Sequence, residues 1–418
     1  MSSWFGRAGG MCARALCVCL FASGCGEGDR DGDISQLAEL ELKAGSLPAS
    51  PTNAFADDAQ AAAFGRKLFF DRRLSSEGTV ACADCHDPST GFSDQRHFSE
   101  GVREQEGARH SMPITTAALQ PFLLWDGRAD SVWRQPLYAL ENPKEMDFTR
   151  TDVALFIASE ARADYEAVFG ALPDLAGVPP RALPGHPAWE SLTPEQQDDV
   201  QRVFVNVGKA IEAYERLLVC SDTKFDRWQR GEVDLDEGEL AGAQQFVDSG
   251  CNLCHNGPAV SDGLFHNLGI ERDDANAIDT GREAGLAALL VDDLNGASRY
   301  SDDPELGANR LAEAATETGT RGSFRTASLR GVTQRARFGH RGDHTDLADF
   351  IQETYNRRGR GGRGGDGDGN NDGDGGDRLG EIDPILDDVN VNGDGAREIV
   401  EFLRTLECAP PPPELLAP

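Results

Sequence analysis

Methionine is scarce. The 418 residues contain four, Met1, Met11, Met112 and Met146, and none follows Met146. A metal cofactor held by the C-terminal half alone therefore has no thioether ligand. Basic charge is short too: 40 Lys plus Arg face 71 Asp plus Glu, a net charge of −31. So acidic a surface repels phosphate backbones and anionic bilayers, which argues against nucleic acid as a partner. Long apolar runs are missing; Ala15 to Ala22 is too short to span a bilayer. Strand-like alternation is scarce and no short-period repeat is present, so the expected fold is mainly α.

What is present begins with an export signal. Arg7 and Arg14 supply a positive start, an apolar stretch follows, and Ala22-Ser23-Gly24-Cys25 resembles a bacterial lipobox. The expectation is a signal peptide over 1–24, lipidation of Cys25, and a place on the periplasmic side of a bacterial membrane. The lipid is then the chain's one membrane contact; ordinary signal cleavage nearby is the alternative. Residues 25–53 are small and polar and read as a tether. A first unit is expected over 54–220 and a second over 221–408. Apolar positions spaced three and four apart predict a helix over 194–219 that closes the first unit. Residues 357–378, rich in Gly, Arg and Asp, read as a disordered insertion, and 409–418 as a Pro-rich tail.

Six of the ten cysteines lie beyond the signal region. Four of them form Cys82-Ala83-Asp84-Cys85-His86 and Cys251-Asn252-Leu253-Cys254-His255. Both are C-x-x-C-H, a spacing that lets two thiols bond the two vinyl groups of one haem while the next residue offers imidazole to the iron. A zinc site would need the two pairs to converge and leaves both histidines unexplained. A redox pair would need a βαβ context that is missing. Two c-type haems, with His86 and His255 as proximal ligands, is the reading. Cys220 and Cys408 remain, either as one disulfide or as two buried thiols.

Around these motifs the sequence resembles the bacterial di-haem cytochrome c peroxidase/MauG superfamily. The likeness covers most of 60–408. It rests on Gly65-Arg66-Lys67-Leu68-Phe69-Phe70-Asp71, Trp125-Asp126-Gly127-Arg128, Asn142-Pro143-Lys144-Glu145-Met146, Asp279-Thr280-Gly281-Arg282 and Phe324-Arg325-Thr326-Ala327-Ser328-Leu329-Arg330. The resemblance implies two cytochrome c-like domains, the N-terminal haem meeting hydrogen peroxide and the C-terminal haem storing or relaying electrons. It makes Trp125 the tryptophan between them, whereas Trp133 and Trp189 read as core. It makes Glu145 the carboxyl on the open face of the first haem and Gln135 its polar neighbour. Peroxide must lose a proton from one oxygen and gain one on the other, and a carboxyl in a partly apolar pocket suits both transfers.

Two departures shape the expected function. The position of the peroxidases' distal histidine falls on Val102, with His97 and His110 nearby, so the first haem is expected to be open or weakly blocked. His110 aligns with an asparagine that holds an inter-haem calcium in relatives, and histidine is a poor calcium ligand. At the second haem the methionine of the peroxidases falls by spacing on Thr354, one residue before Tyr355. MauG-type enzymes carry tyrosine there, and Tyr355 is the expected iron ligand. His344, His340, His266 and Tyr300 are the other candidates; His340 matches a family histidine that supports the haem pocket. A phenolate favours ferric and higher iron. The likeness is thus nearer to MauG-type, methanobactin-associated members. The expected function is a di-haem oxidase that uses hydrogen peroxide to form high-valent haem iron and oxidises a side chain, such as tryptophan, of an exported partner protein. The alternatives are a peroxidase fed by a small electron-donor protein and a plain di-haem electron carrier. The surface tryptophan that MauG-type members place two residues before the second motif is Ser249 here. Two acidic runs, 368–373 and 388–393, resemble the start of EF-hand loops. Each lacks the closing glutamate, so calcium competes there with a flexible loop and a helix-entry turn.

Overall fold

The computed structural model describes residues 34–43, 45–269, 278–361 and 379–418, without the side chains of 356–361. The signal region with Cys25 and the 357–378 insertion with the first acidic run lie outside the described residues or their side chains. The described chain is mainly helical, and no helix among these residues is long and apolar enough to cross a membrane. One two-stranded antiparallel sheet pairs Phe265–His266 with Phe324–Arg325.

The first unit is organised by one long helix, Pro194–Glu215. Thr193 caps it through the Gln196 N–H, Pro194 supplies a preset φ at its first position, and a 3-10 turn, Arg216–Leu218, ends it. Its apolar face, from Val200 through Val203, Val207 and Ile211, is fully buried. The helix Ala59–Phe69 crosses it at Gly65, where an added Cβ would lie 1.8 Å from the Ala210 carbonyl oxygen. Only glycine allows that approach. Trp133 and Trp189 sit in this core, as expected of them.

A second core joins the helix Glu237–Asp248 to the C-terminal helix Gly393–Arg404. The latter buries Ala396, Ile399, Phe402 and Leu403 on one face. The Asn392 side chain caps it by accepting the Gly395 N–H, so the second acidic run serves as a helix entry.

The expected unit boundaries are crossed twice. The described part of the 25–53 segment is no loose tether. Ile34, Leu37 and Leu40 lie three apart on a 3-10 helix, so they share one edge, and that edge is buried in the second core. Leu42 then donates its N–H to Asp226 at 2.8 Å. Conversely, Leu294 and Tyr300 of the second unit belong to the first core. The tail is docked as well. Tyr214 donates its hydroxyl to the Leu415 carbonyl at 2.6 Å, Arg66 donates to that of Glu414, and Leu415 and Leu416 pack beside Phe69. Cys220 and Cys408 form a disulfide with Cα atoms 5.0 Å apart, joining the end of the long helix to the chain beyond the C-terminal helix.

Candidate active site: two cysteine–histidine cavities

Each C-x-x-C-H segment forms a single turn at the wall of its own cavity. Cys82, Cys85 and His86 line a cavity of about 690 Å³, and Cys251, Cys254 and His255 line one of about 170 Å³. The pairs therefore do not converge on one zinc ion. Burial pushes the Cys82, Cys85 and Cys251 thiols up, the opposite of an activated redox pair. The two histidines are held alike. His86 directs Nδ1 to the Phe92 carbonyl at 3.3 Å, where the Ser111 hydroxyl also lies at 3.2 Å, and His255 directs Nδ1 to the Val260 carbonyl at 3.2 Å. A carbonyl only accepts, so Nδ1 carries the proton and Nε2 is left to bind a metal. Burial lowers both pKa values and keeps both rings neutral, as a ligand must be.

Glu145 lines the first cavity together with Gln135, Asn142 and Arg128. The Asn142 amide donates to Glu145 Oε1 at 2.6 Å. Burial raises the Glu145 pKa above the usual carboxylate range, against the opposing pull of Arg128 and Asn142. That places a proton-accepting and proton-returning group in the cavity. Val102, the position of a distal histidine in the peroxidases, is fully buried in the core behind Glu145, and its N–H donates to the Glu145 carbonyl at 2.8 Å. His97 turns to Asp343, with Nε2 2.6 Å from Oδ1. His110 is buried, close to Ser93 Oγ and the His97 carbonyl.

The two cavities share a wall. Trp125, His110, Met112 and Arg325 line both. Trp125 donates Nε1 to the His110 carbonyl at 2.8 Å, and its own carbonyl accepts the Arg325 N–H at 2.8 Å. The conformation of this loop is fixed from below. Gly127 has φ +66°, and a Cβ there would lie 2.2 Å from the Phe265 ring. The buried Arg282 donates to the Gly127 carbonyl at 2.9 Å and to both Glu317 oxygens at 2.7 Å. Arg109 ties Asp126 to Asp279 at 2.6 and 2.7 Å. Two of the sequence segments, W-D-G-R and D-T-G-R, are thus one construction that positions Trp125.

In the second cavity Thr354 and Tyr355 both reach the wall from the helix Leu347–Gly361. His340 lines it too, stacked on Phe324 with ring centres 4.0 Å apart. Three other candidates lose their case. Tyr300 is in the first core, hydrogen-bonded to Asp198 and Gln201. His344 is not in the wall; its Nδ1 lies 3.7 Å from Glu353. His266 borders the cavity but is committed at both nitrogens, to Asp262 at 2.9 Å and Asp383 at 2.5 Å. Ser249 is fully buried, so its position offers no surface relay. Met112 was outside the argument from the C-terminal half. It enters the second cavity from the first unit, and its sulfur accepts from Arg325 Nη2 at 3.2 Å.

Two arginines, Arg325 in a matched segment and Arg335 beyond it, had no role in the sequence reading. Arg325 and Arg335 line the second cavity with no carboxylate paired to either among the described residues, and Arg325 Nη1 has no hydrogen-bond partner there. Burial pulls both down to about 10, with Arg325 adding to the effect on Arg335. Uncompensated buried cations are costly, and the propionates of a haem are the anions that would offset them. The donor set therefore fits two haems: paired thiols, an oriented imidazole, an apolar cavity and a cationic edge. Arg325 stood inside a matched segment, and nothing in the sequence singled out Arg335.

Fold and site together define a helical protein with two cysteine–histidine cavities, one larger and one smaller, whose donors fit covalently attached redox groups. Comparison with known proteins agrees. Residues 59–234 match the family model described as di-haem cytochrome c peroxidase. The chain is 31% identical over 329 residues to the methylamine utilization protein MauG of Paracoccus denitrificans, covering 71% of this chain and 74% of that one. It is 30% identical over 240 residues to the cytochrome c551 peroxidase of Nitrosomonas europaea, covering 56% of this chain and 64% of that one. Among solved structures, a MauG-like protein associated with microbial copper homeostasis superposes with TM-score 0.60 at 20% identity, over 90% of this chain and 99% of the other. The diheme peroxidase BthA of Burkholderia thailandensis superposes with TM-score 0.62 at 20% identity, over 88% and 90%. The chain belongs to the di-haem cytochrome c peroxidase/MauG family, whose members are oxidoreductases that act with hydrogen peroxide.

Proposed function

We propose that this chain is a MauG-like di-haem oxidase that uses hydrogen peroxide to oxidise a side chain, of the tryptophan class, on an exported partner protein. Bound haem supplies the redox chemistry and an iron position facing each cavity. The protein supplies the rest. Glu145 takes the proton from one peroxide oxygen and returns it to the other, and its raised pKa matches that double task. Gln135 offers a polar group in the same cavity. Trp125, set in the shared wall, divides one long electron jump into two. The observation that carries the oxidase reading over the peroxidase one is Tyr355 in the wall of the second cavity. Of the residues this helix brings to the cavity wall, Tyr355 is the one oxygen donor that ionises to an anion; the neighbouring Thr354 is a poor metal ligand. The 31% identity to MauG, which acts on a partner protein, supports a protein substrate.

The test is spectroscopic. Tyr355→His is expected to convert the second haem's absorption and paramagnetic resonance to a bis-histidine type, while Met112→Leu leaves them unchanged. An unchanged spectrum in Tyr355→His, or a changed one in Met112→Leu, removes the phenolate ligand and with it the oxidase reading. Sustained peroxide turnover with a reduced small redox protein would select the peroxidase instead. Two low-spin haems that ignore peroxide would select the electron carrier.

A further inference from the structure

The long helix carries two carboxyls on its buried face that the proposed chemistry does not use. Glu212 is 0% exposed and Glu215 is 3% exposed. They lie three residues apart, so they share one face of the helix. Glu215 lines the first cavity, on the side of Cys82 and Phe69. Its Oε2 has no hydrogen-bond partner, and no ion pair reaches the carboxyl among the described residues. The basic groups on this helix and on the helix packed against it each have another partner. Arg216 pairs with Asp57 at 2.8 Å, Lys209 with Asp302 at 2.7 Å, and Arg66 donates to the Glu414 carbonyl of the tail.

We propose that Glu215 is a redox-linked proton site of the first cavity: its carboxylate takes up one proton when the iron held by His86 gains one electron, and releases it when that electron leaves. The inference rests on a haem being attached at Cys82 and Cys85. Its physical cause is charge balance. Oxidising the iron adds one positive charge to a cavity of low dielectric, and that charge favours an ionised carboxylate nearby. Reducing the iron removes it and leaves an uncompensated buried anion, which neutralises by binding a proton. Oε2, without a partner, is the atom that receives it. The electron comes from a one-electron donor, such as a small redox protein, or from an electrode in the test.

Three groups face Glu215. Glu212 repels it from its own helix, the Cys82 sulfur adjoins it from the haem-binding turn, and Tyr214 neighbours it along the chain. Burial and the Glu212 charge push the Glu215 carboxyl up to about 8, which places its proton exchange in a working range of pH. Glu212 leads outward. Its Oε2 accepts from Asn53 Nδ2 at 3.0 Å, and Ser50, half-buried, lies near it. The route from cavity to surface is Glu215, Glu212, then the Ser50–Asn53 turn. Glu145 sits apart from this route, with Asn142 and Arg128 as its neighbours.

The experiment is a spectroelectrochemical titration of the holoprotein at a series of pH values, following each haem by its own absorption. One proton per electron is a tenfold change in the reduction equilibrium per pH unit, about 59 mV. The first haem is expected to show that slope near neutral pH, Glu215→Gln to flatten it, and Glu145→Gln to keep it. A slope retained in Glu215→Gln, or lost only in Glu145→Gln, overturns the proposal. Infrared difference spectra of the unaltered protein give a check that needs no variant. Reduction should produce the carbonyl band of a protonated carboxyl, and its absence also overturns the proposal. A pyridine haemochrome count below two haems per chain would instead fail the haem reading itself.

Discussion

The same five-residue turn is built twice, and what differs is the wall opposite. Around His86 the cavity is about 690 Å³ and carries Glu145, Gln135 and Glu215. Around His255 it is about 170 Å³, walled by Leu347, Ile351, Ile399 and Leu403, with Tyr355, His340, Arg325 and Arg335 as polar members. On the proximal side both set an imidazole Nδ1 on a backbone carbonyl, at 3.3 and 3.2 Å, and only His86 adds a hydroxyl, that of Ser111. Attachment and ligand orientation therefore do not separate the two sites; space and protonatable groups do. A small molecule and its protons have room in the first cavity. The second is smaller and has no carboxylate among the described residues of its wall, which suits a group that only exchanges electrons.

The sharpest way to break this contrast is to remove the proton carrier. Glu145→Gln keeps the volume and the amide contact to Asn142 but cannot accept a proton. The first reaction with peroxide should slow by about 10²–10⁴-fold in stopped flow, while the second haem's resting spectrum stays as it was. The pH dependence follows from the sign of the shift. Burial raises the Glu145 pKa above its ordinary 4.5. The rate of the unaltered protein should therefore fall on acidification at a pH above that value, as the base becomes protonated. The limb should vanish in the variant. A change at both haems of equal size would mean that the cavities are not functionally distinct.

The next effect is on stability and falls on the second site. Arg330 and Asp226 are a pair with both side chains 0% exposed. Arg330 also donates to the carbonyls of Leu40 and Pro258 at 2.6 Å, so one guanidinium binds the N-terminal segment and the turn after His255. Burial alone would raise the Asp226 pKa, but Arg330 and the Leu42 and Thr223 N–H groups hold it below the usual value. A lowered carboxylate contributes stability above its unfolded pKa and loses it as pH falls through the folded one. Arg330→Met leaves that anion buried and unpaired and should cost about 3–5 kcal/mol in chemical denaturation at neutral pH. The loss should shrink in acid. The first cavity should still react with peroxide at low temperature, since its own core stands on other residues.

How much of this was legible in the sequence depends on the length of chain over which the signal acts. The haem turns, the mainly helical fold, and the long helix with its Thr193-Pro194 start are local, and spacing shows them. The Gly65 and Gly127 motifs were visible as strings, but their reason, a helix crossing and a ring 2.2 Å from an added Cβ, exists only in three dimensions. Ile34, Leu37 and Leu40 read as tether because a stretch of small and polar residues hid a period of three. The crossing of Leu294 and Tyr300 into the first core could not be read from a linear boundary. Met112 shows the same limit: counting methionines by chain half ignored that the two halves share a wall.

That shared wall supplies the smallest expected effect and the finest test of the comparison. Trp125→Phe keeps an aromatic ring and removes one donor. The His110 carbonyl loses a 2.8 Å hydrogen bond, worth about 1 kcal/mol. The backbone bond from Arg325 to the Trp125 carbonyl is untouched, so the loop and both resting spectra should persist. What should change is the interval between events at the two haems. Phenylalanine is far harder to oxidise than indole, so an electron must pass from one site to the other in one long step. After mixing with peroxide, the absorbance change of the second haem should lag that of the first by more than in the unaltered protein. An unchanged lag would make the wall passive. The open cavity would then work alone, and the narrow one would need a different reason to lie within reach of the same tryptophan.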